Sequence, residues 1–252
     1  MTQQEQPGEG NAIASAPHPK LEELIAVLEL LRAPGGCAWD REQTHESLVR
    51  YLVEETYELI DAIESGNREE MIEELGDVLY QVIFHSDIAA HTPGEEFTLE
   101  DVAAHMTAKM IGRHPHVFGD ARAETAADVN AVWDELKKVE KPGRTSTLDG
   151  VPQGMPALAL ADKLLGKAVK LGMLDAPEPA PGSEPGRTPS QDSAEGSGAE
   201  TSILAPQTED ELGSLLLAVV ANARAVGLDA ERALRSTLRA FQDEMREAEQ
   251  TG

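Results

Sequence analysis

Cysteine is nearly absent: Cys37 is the only one in 252 residues, so no disulfide within the chain can staple the fold. Aromatic residues make up only 4% and runs of alternating β-branched residues are scarce, which argues against a sheet. Bases are outnumbered, 21 against 46 acids, and a formal net charge of -25 repels phosphate backbones, so no nucleic-acid partner is expected. No apolar run approaches the roughly 20 residues of a membrane span. The longest is Leu215 to Ala221, and no membrane partner is expected. The opening MTQQEQPGEG has neither the basic nor the apolar stretch of a secretion signal, and a cytoplasmic location is the expectation.

Ala, Leu and Glu are abundant, and they recur at helical spacing. The expected class is all-α, with 40% hydrophobic residues to fill a core. Residues 1–18 read as a disordered arm and 19–142 as a helical domain. A first helix of about 12 residues contains Leu21, Leu24, Ile25, Leu28 and Leu31 and stops at Pro34-Gly35-Gly36. Asp40 with Gln43 reads as a capping pair for a second helix, to about Glu64. Asn67 with Glu70 opens a third, to about Ala90, and two more follow near 98–112 and 125–140. Residues 143–175 form a connecting segment with a helix from Pro156 to Leu171. Between Ala176 and Gln207, Pro, Gly and Ser supply 15 of 32 residues, too many for a packed core, so 176–207 reads as a flexible insert. Helical periodicity returns over 208–252, broken near Gly227. There Glu211-Leu212-Gly213-Ser214 echoes Glu74-Leu75-Gly76-Asp77, a degenerate second copy with serine in place of the aspartate.

The chemistry concentrates between Tyr51 and Phe84, where ten acids stand against one base, Arg68. Glu55 and Glu58 are three residues apart on one helix, and Glu74 and Asp77 on the next, so each pair shares a helix face. With Glu55 at 0°, Leu48, Leu59, Leu52, Ile63, Val49, Ile60 and Val53 span about 20° to 160°; the equivalent arc beside Glu74 holds Val78, Met71, Val82, Leu75, Leu79 and Ile72. Both arcs are expected to be buried, with the carboxylates bordering them. Two antiparallel helices then bring four carboxylates to one seam. Like charges 4 Å apart repel by roughly 4 kcal/mol at an effective dielectric of 20. No Lys or Arg stands four residues on from any of the four acids. A hard divalent cation is therefore expected, and Mg²⁺ suits carboxylates together with substrate phosphates. Gly76, mid-helix, suggests a close neighbour or ligand. The rival di-iron reading needs two Glu-x-x-His sets, and only Glu42 with His45 is present, outside both acidic pairs.

On these residues the sequence resembles the MazG nucleoside triphosphate pyrophosphohydrolases: GCAWDREQTHESL (36–48), EETYE (54–58), ELGD (74–77), RHPHVFGD (113–120) and VWDELK (132–137) stand in the family's order. The resemblance implies hydrolysis of a nucleoside triphosphate to the monophosphate and pyrophosphate, with Mg²⁺ (Mn²⁺ as a substitute), in an all-α homodimer of four-helix-bundle units that serves nucleotide-pool housekeeping. Residue by residue it implies Glu55, Glu58, Glu74 and Asp77 as metal ligands and Glu54 as the catalytic candidate to position or deprotonate the attacking water. Trp39 is a candidate to stack on a base. Arg113 and Lys137 are candidates to meet phosphate oxygens. Cys37 and Trp133 read as core residues, and His114 and His116 as ordering a loop or a subunit contact. The alternative reading is a non-catalytic helical interaction protein whose acidic seam is only a charged face.

Overall fold

A computed structural model describes residues 17–123, 125, 128–129, 132–133, 136, 140, 143, 145–174 and 206–251. The described residues form nine helices and no strand, so the class is all-α. The chain divides into two units, Met1–Val129 and Asn130–Gly252. The expected N-terminal arm, the 125–140 helix and the 176–207 insert lie wholly or largely outside the described residues.

In the first unit, α1 (Pro19–Arg32) starts on a proline, which needs no amide partner there, and ends before Pro34. The single second helix expected from Asp40 is instead two: α2 (Ala38–Glu42) and α3 (His45–Ser65). The N-cap of α3 is Thr44, whose hydroxyl accepts from the Ser47 amide while the Ser47 hydroxyl accepts from the Thr44 amide. Asp40 is buried within α2 and caps nothing. A left-handed turn at Gly66 (φ 73°) ends α3, and Asn67 at once caps α4 (Arg68–His91) by accepting from the amides of Glu69 and Glu70. The result is a tight antiparallel hairpin. The helices α5 (Leu99–Arg113) and α6 (Pro115–Phe118) follow.

The core of this unit is Leu28, Leu48, Ile83, Phe84 and Ile88, with Leu24, Ile25, Tyr51, Tyr80 and Leu99 packed against it. It joins α1, α5 and the open end of the hairpin. Arg32 braces it, donating through Nε to Asp87 and through Nη1 to the Asp40 carbonyl (2.5 Å), with its guanidinium over the Phe84 ring.

The expected burial of both apolar arcs is only half correct. Leu48 is buried and Leu52, Leu59, Met71 and Val78 are partly so. Val49, Val53 and Ile63 on α3, with Ile72, Leu75, Leu79 and Val82 on α4, lie open, Leu75 at 50% and Val53 at 49%. The reason is geometric: the hairpin packs on the rest of its unit through the face that carries the carboxylates, and the apolar arc turns outward beside it.

In the second unit, α7 (Ala157–Lys170), α8 (Glu209–Ala225) and α9 (Ala230–Thr251) pack on one another. Gly166 on α7 lets the Arg224 guanidinium of α8 lie against the backbone: a Cβ there would stand 2.7 Å from Nη2. From that position Arg224 pairs with Asp162 at 2.7 Å. No single helix among the described residues is long and apolar enough to cross a membrane.

Candidate metal centre

The antiparallel hairpin fixes which acids meet. Glu55, Glu58 and Glu74 each offer a carboxylate oxygen, and the three oxygens lie within 4.8 Å of one another. Asp77, one turn on from Glu74, is close enough for its charge to act on both Glu55 and Glu74, although it stands outside that tight trio. The Glu55 carboxyl is pushed up from its ordinary range, first by burial and then by the charges of Asp77 and Glu58, with a hydrogen bond to Glu58 adding to the shift. Glu74 is pushed up as well, again first by burial, then by Glu58 and Asp77. Its Oε2 is buried without a hydrogen-bond partner. Among the described residues no Lys, Arg or His forms an ion pair with any of the four acids.

These observations fit a divalent cation. An orphaned, buried carboxylate oxygen costs free energy until something positive meets it. The donor set, all carboxylate, suits a hard ion. It forms the only group of three or more potential ligand residues among the described residues.

The other candidates are placed less uniformly. Glu54 is exposed on α3, outside the trio. Trp39 is 48% exposed; its ring packs T-shaped with that of Tyr51 (centroids 5.7 Å apart, planes at 75°), and Arg50 lies over the Tyr51 ring. Arg113 ends α5, half-buried. Lys137 lies outside the described residues. Gly76 faces open space, with nothing within 4 Å of an added Cβ, so the close neighbour expected from the sequence is not there. Cys37 and Trp133 are half-buried, short of the core positions expected for them. His114 does order its turn, its Nδ1 lying 2.6 Å from the Met110 carbonyl. His45 is engaged elsewhere, with Nε2 2.9 Å from Glu95 and Nδ1 2.7 Å from His85 Nδ1, which removes the di-iron reading.

Sequence reasoning missed Gln81, which is 7% exposed with its Oε1 buried and unpartnered. The signal was available: it stands four residues after Asp77 and seven after Glu74, on the same helix face.

The profile of the MazG nucleotide pyrophosphohydrolase domain matches residues 43–118, the stretch that contains the hairpin and all four acids. Over 230 residues the chain is 39% identical to the nucleoside triphosphate pyrophosphohydrolase/pyrophosphatase MazG of Thermotoga maritima, covering 91% of this chain and 85% of that protein. The chain belongs to the MazG family. It is also 34% identical over 233 residues to the nucleoside triphosphate pyrophosphohydrolase of Escherichia coli K12, covering 91% of this chain and 87% of that one. A 26.1 kDa uncharacterized protein of Streptomyces cacaoi is 42% identical over 233 residues, 92% of this chain and 84% of its own. These MazG-family likenesses run through both units, well beyond the matched domain.

Proposed function

We propose that this MazG-family chain hydrolyses nucleoside triphosphates to the monophosphate and pyrophosphate, with Mg²⁺ held by Glu55, Glu58, Glu74 and Asp77 and Mn²⁺ able to replace it. The observation that carries the reading is the convergence of three carboxylates around a buried, unpartnered Glu74 oxygen, with no ion pair to a Lys, Arg or His among the described residues. When bound, the ion supplies charge neutralisation of the phosphates and Lewis-acid polarisation of a phosphoryl oxygen. The chain's own residues do the rest. Glu54, exposed one residue before Glu55, takes a proton from the attacking water at its carboxylate. The water oxygen bonds to the α-phosphorus, the bond to the bridging oxygen breaks, and pyrophosphate leaves. Trp39 offers an open indole face to a base, and Arg113 and Lys137 supply positive charge to phosphate oxygens.

The assembly proposed is a homodimer in which the exposed apolar arc of α3 and α4 meets its copy. Residues 208–252 are read as a degenerate second copy without hydrolysis of its own, since Ser214 stands at the place of Asp77. The setting proposed is the cytoplasm, clearing surplus or non-canonical nucleotides.

The test is pyrophosphate release from a mixed triphosphate panel, with and without Mg²⁺. Release is expected only with the ion, and Glu74→Gln and Asp77→Asn are each expected to lower kcat/KM by about a hundredfold or more. Undiminished turnover in both variants would overturn the assignment.

A further inference from the structure

The five-residue helix α2 has no side-chain cap and carries one large apolar residue, Trp39, which it leaves 48% exposed while the next residue, Asp40, is buried. Leaving a large apolar side chain in water forgoes the free energy of its burial. Yet this one is held firmly. The Trp39 carbonyl accepts from Gln43 Nε2 (2.9 Å), and Gln43 Oε1 accepts in turn from the hydroxyl of Ser47 (2.7 Å), which also completes the cap of α3. The Asp40 carbonyl, one residue on, accepts from Arg32. The indole itself packs T-shaped with Tyr51, and Tyr51 is half-buried against the core of the unit. Arg50 fixes Tyr51 from the other direction: its guanidinium carbon lies 4.4 Å from the centroid of the Tyr51 ring, and its Nη2 donates to the Tyr51 hydroxyl. Tyr51 stands four residues before Glu55 and seven before Glu58, on the same helix face, about 6 Å along α3 from the first of them. An exposed but anchored indole is thus presented beside the turn of α3 that leads into the carboxylates.

We propose that Tyr51 is a positioning residue for the nucleobase: its ring, clamped by Arg50, holds the Trp39 indole in place so that the substrate's base stacks on it. The inference rests on the proposed pyrophosphohydrolase reading and deepens it. In a T-shaped pair the edge of one ring meets the face of the other, so whichever ring supplies the edge, at least one face of the indole stays free. A base has a π-face of its own and gains contact there without any hydrogen bond to its edge. An indole free to change rotamer would lose that freedom when the base arrives, whereas one already fixed has none to lose, so Tyr51 raises affinity without touching the substrate. Base stacking is the same in the bound substrate and in the transition state, because the bonds that change are at the α-phosphorus. Its loss therefore shows in KM and leaves kcat nearly as it was.

The experiment has a binding arm and a kinetic arm. With Mg²⁺ present, the α,β-methylene form of the nucleoside triphosphate turned over fastest in the panel is expected to quench the tryptophan emission of the wild-type protein. Inorganic triphosphate, which offers phosphates and no base, is expected to leave the emission unchanged, and the quench is expected to vanish in Trp39→Leu, which retains Trp133. In steady-state turnover Trp39→Leu should raise KM by about tenfold or more and Tyr51→Leu by about threefold or more, with kcat within about twofold of wild type. Tyr51→Phe keeps the ring and should return KM to within about twofold. In the Trp39→Leu background Tyr51→Leu should add nothing, because the two residues act as one. Competitive inhibition by inorganic triphosphate should be the same in every variant. Wild-type emission that the methylene analogue leaves unchanged, alongside full hydrolysis of the parent nucleotide, overturns the inference alone, even if no variant folds. So does a KM that Tyr51→Leu raises equally with and without Trp39, or a loss of triphosphate inhibition in Tyr51→Leu, since either would make Tyr51 a support of the carboxylates. A wild type that hydrolyses no triphosphate overturns the pyrophosphohydrolase reading itself, and the inference with it.

Discussion

Glu55 and Glu74 hold their protons more tightly in the folded chain than in the unfolded one, because burial and neighbouring acids disfavour their charged forms. A carboxyl raised in this way stabilises the fold fully below its unfolded value, near 4.5, and that contribution is lost as pH rises through the folded value. The metal-free protein is therefore expected to lose thermal stability between weakly acid and neutral pH, and Glu74→Gln to raise the neutral-pH melting temperature while removing activity. Saturating Mg²⁺ should reverse the order, with wild type melting higher than the variant, because an ion that binds only the folded chain stabilises it. Scanning calorimetry across pH, with chelator and with Mg²⁺, checks both signs. Arg32 offers a contrast, because its ion pair with Asp87 is satisfied: the two side chains are 12% and 9% exposed, and the guanidinium also reaches the Asp40 carbonyl. Arg32→Ala leaves the buried Asp87 carboxylate with only the exposed His91 imidazole, 3.6 Å away, beside it and is expected to cost about 3 kcal/mol in urea unfolding. Arg32→Lys is expected to recover only part of this, since an ammonium cannot reproduce the fork that holds Asp87 and Asp40 together.

At the scale of the helix, what brings the acids together is the pair of stops and starts at the hairpin turn. Gly66 ends α3 in a conformation that favours glycine, and Asn67 begins α4 one residue later, so the two helices can only run back along each other. Asn67→Ala removes the acceptor for two amides and is expected to destabilise the protein by about 1 kcal/mol. Thr44→Ala should cost a similar amount at the far end of α3; chemical denaturation of each single variant reads both. These signals show what the sequence makes legible. The Gly66-Asn67 turn, the three-residue spacings and the acid excess are local, and the seam of carboxylates follows from them. What escaped was decided between elements. Asp40 and Gln43 satisfy the spacing of a capping pair, but Arg32, eight residues earlier, bonds the Asp40 carbonyl within α2, so the helix begins anew at Thr44. Gln81 looked like one more polar residue on α4, because burial depends on which face meets α3.

For the whole chain, the apolar arc that a helical wheel marks for the interior is open on this single protomer. Seven large side chains, Val49, Val53 and Ile63 with Ile72, Leu75, Leu79 and Val82, form one flank of the hairpin. A wheel reports that a face must be covered, not what covers it. Full burial of a Val, Leu or Ile is worth about 1.5–3 kcal/mol each, so a flank of this size is a strong drive to associate. A second copy fits it, because a twofold contact buries the same residues on both chains. Light scattering of the wild-type protein is then expected to give twice the 27.1 kDa chain mass, and Val53→Glu with Leu79→Glu to give the single-chain mass with helical content retained. Since the two substitutions place four carboxylates in one apolar contact, the dissociation constant should rise by about a hundredfold or more. Glu55, Glu58 and Glu74 all come from one hairpin, so the monomeric variant should still bind Mn²⁺. A monomeric wild type would refute the pairing, and loss of Mn²⁺ binding along with the dimer would show that the site needs the second chain.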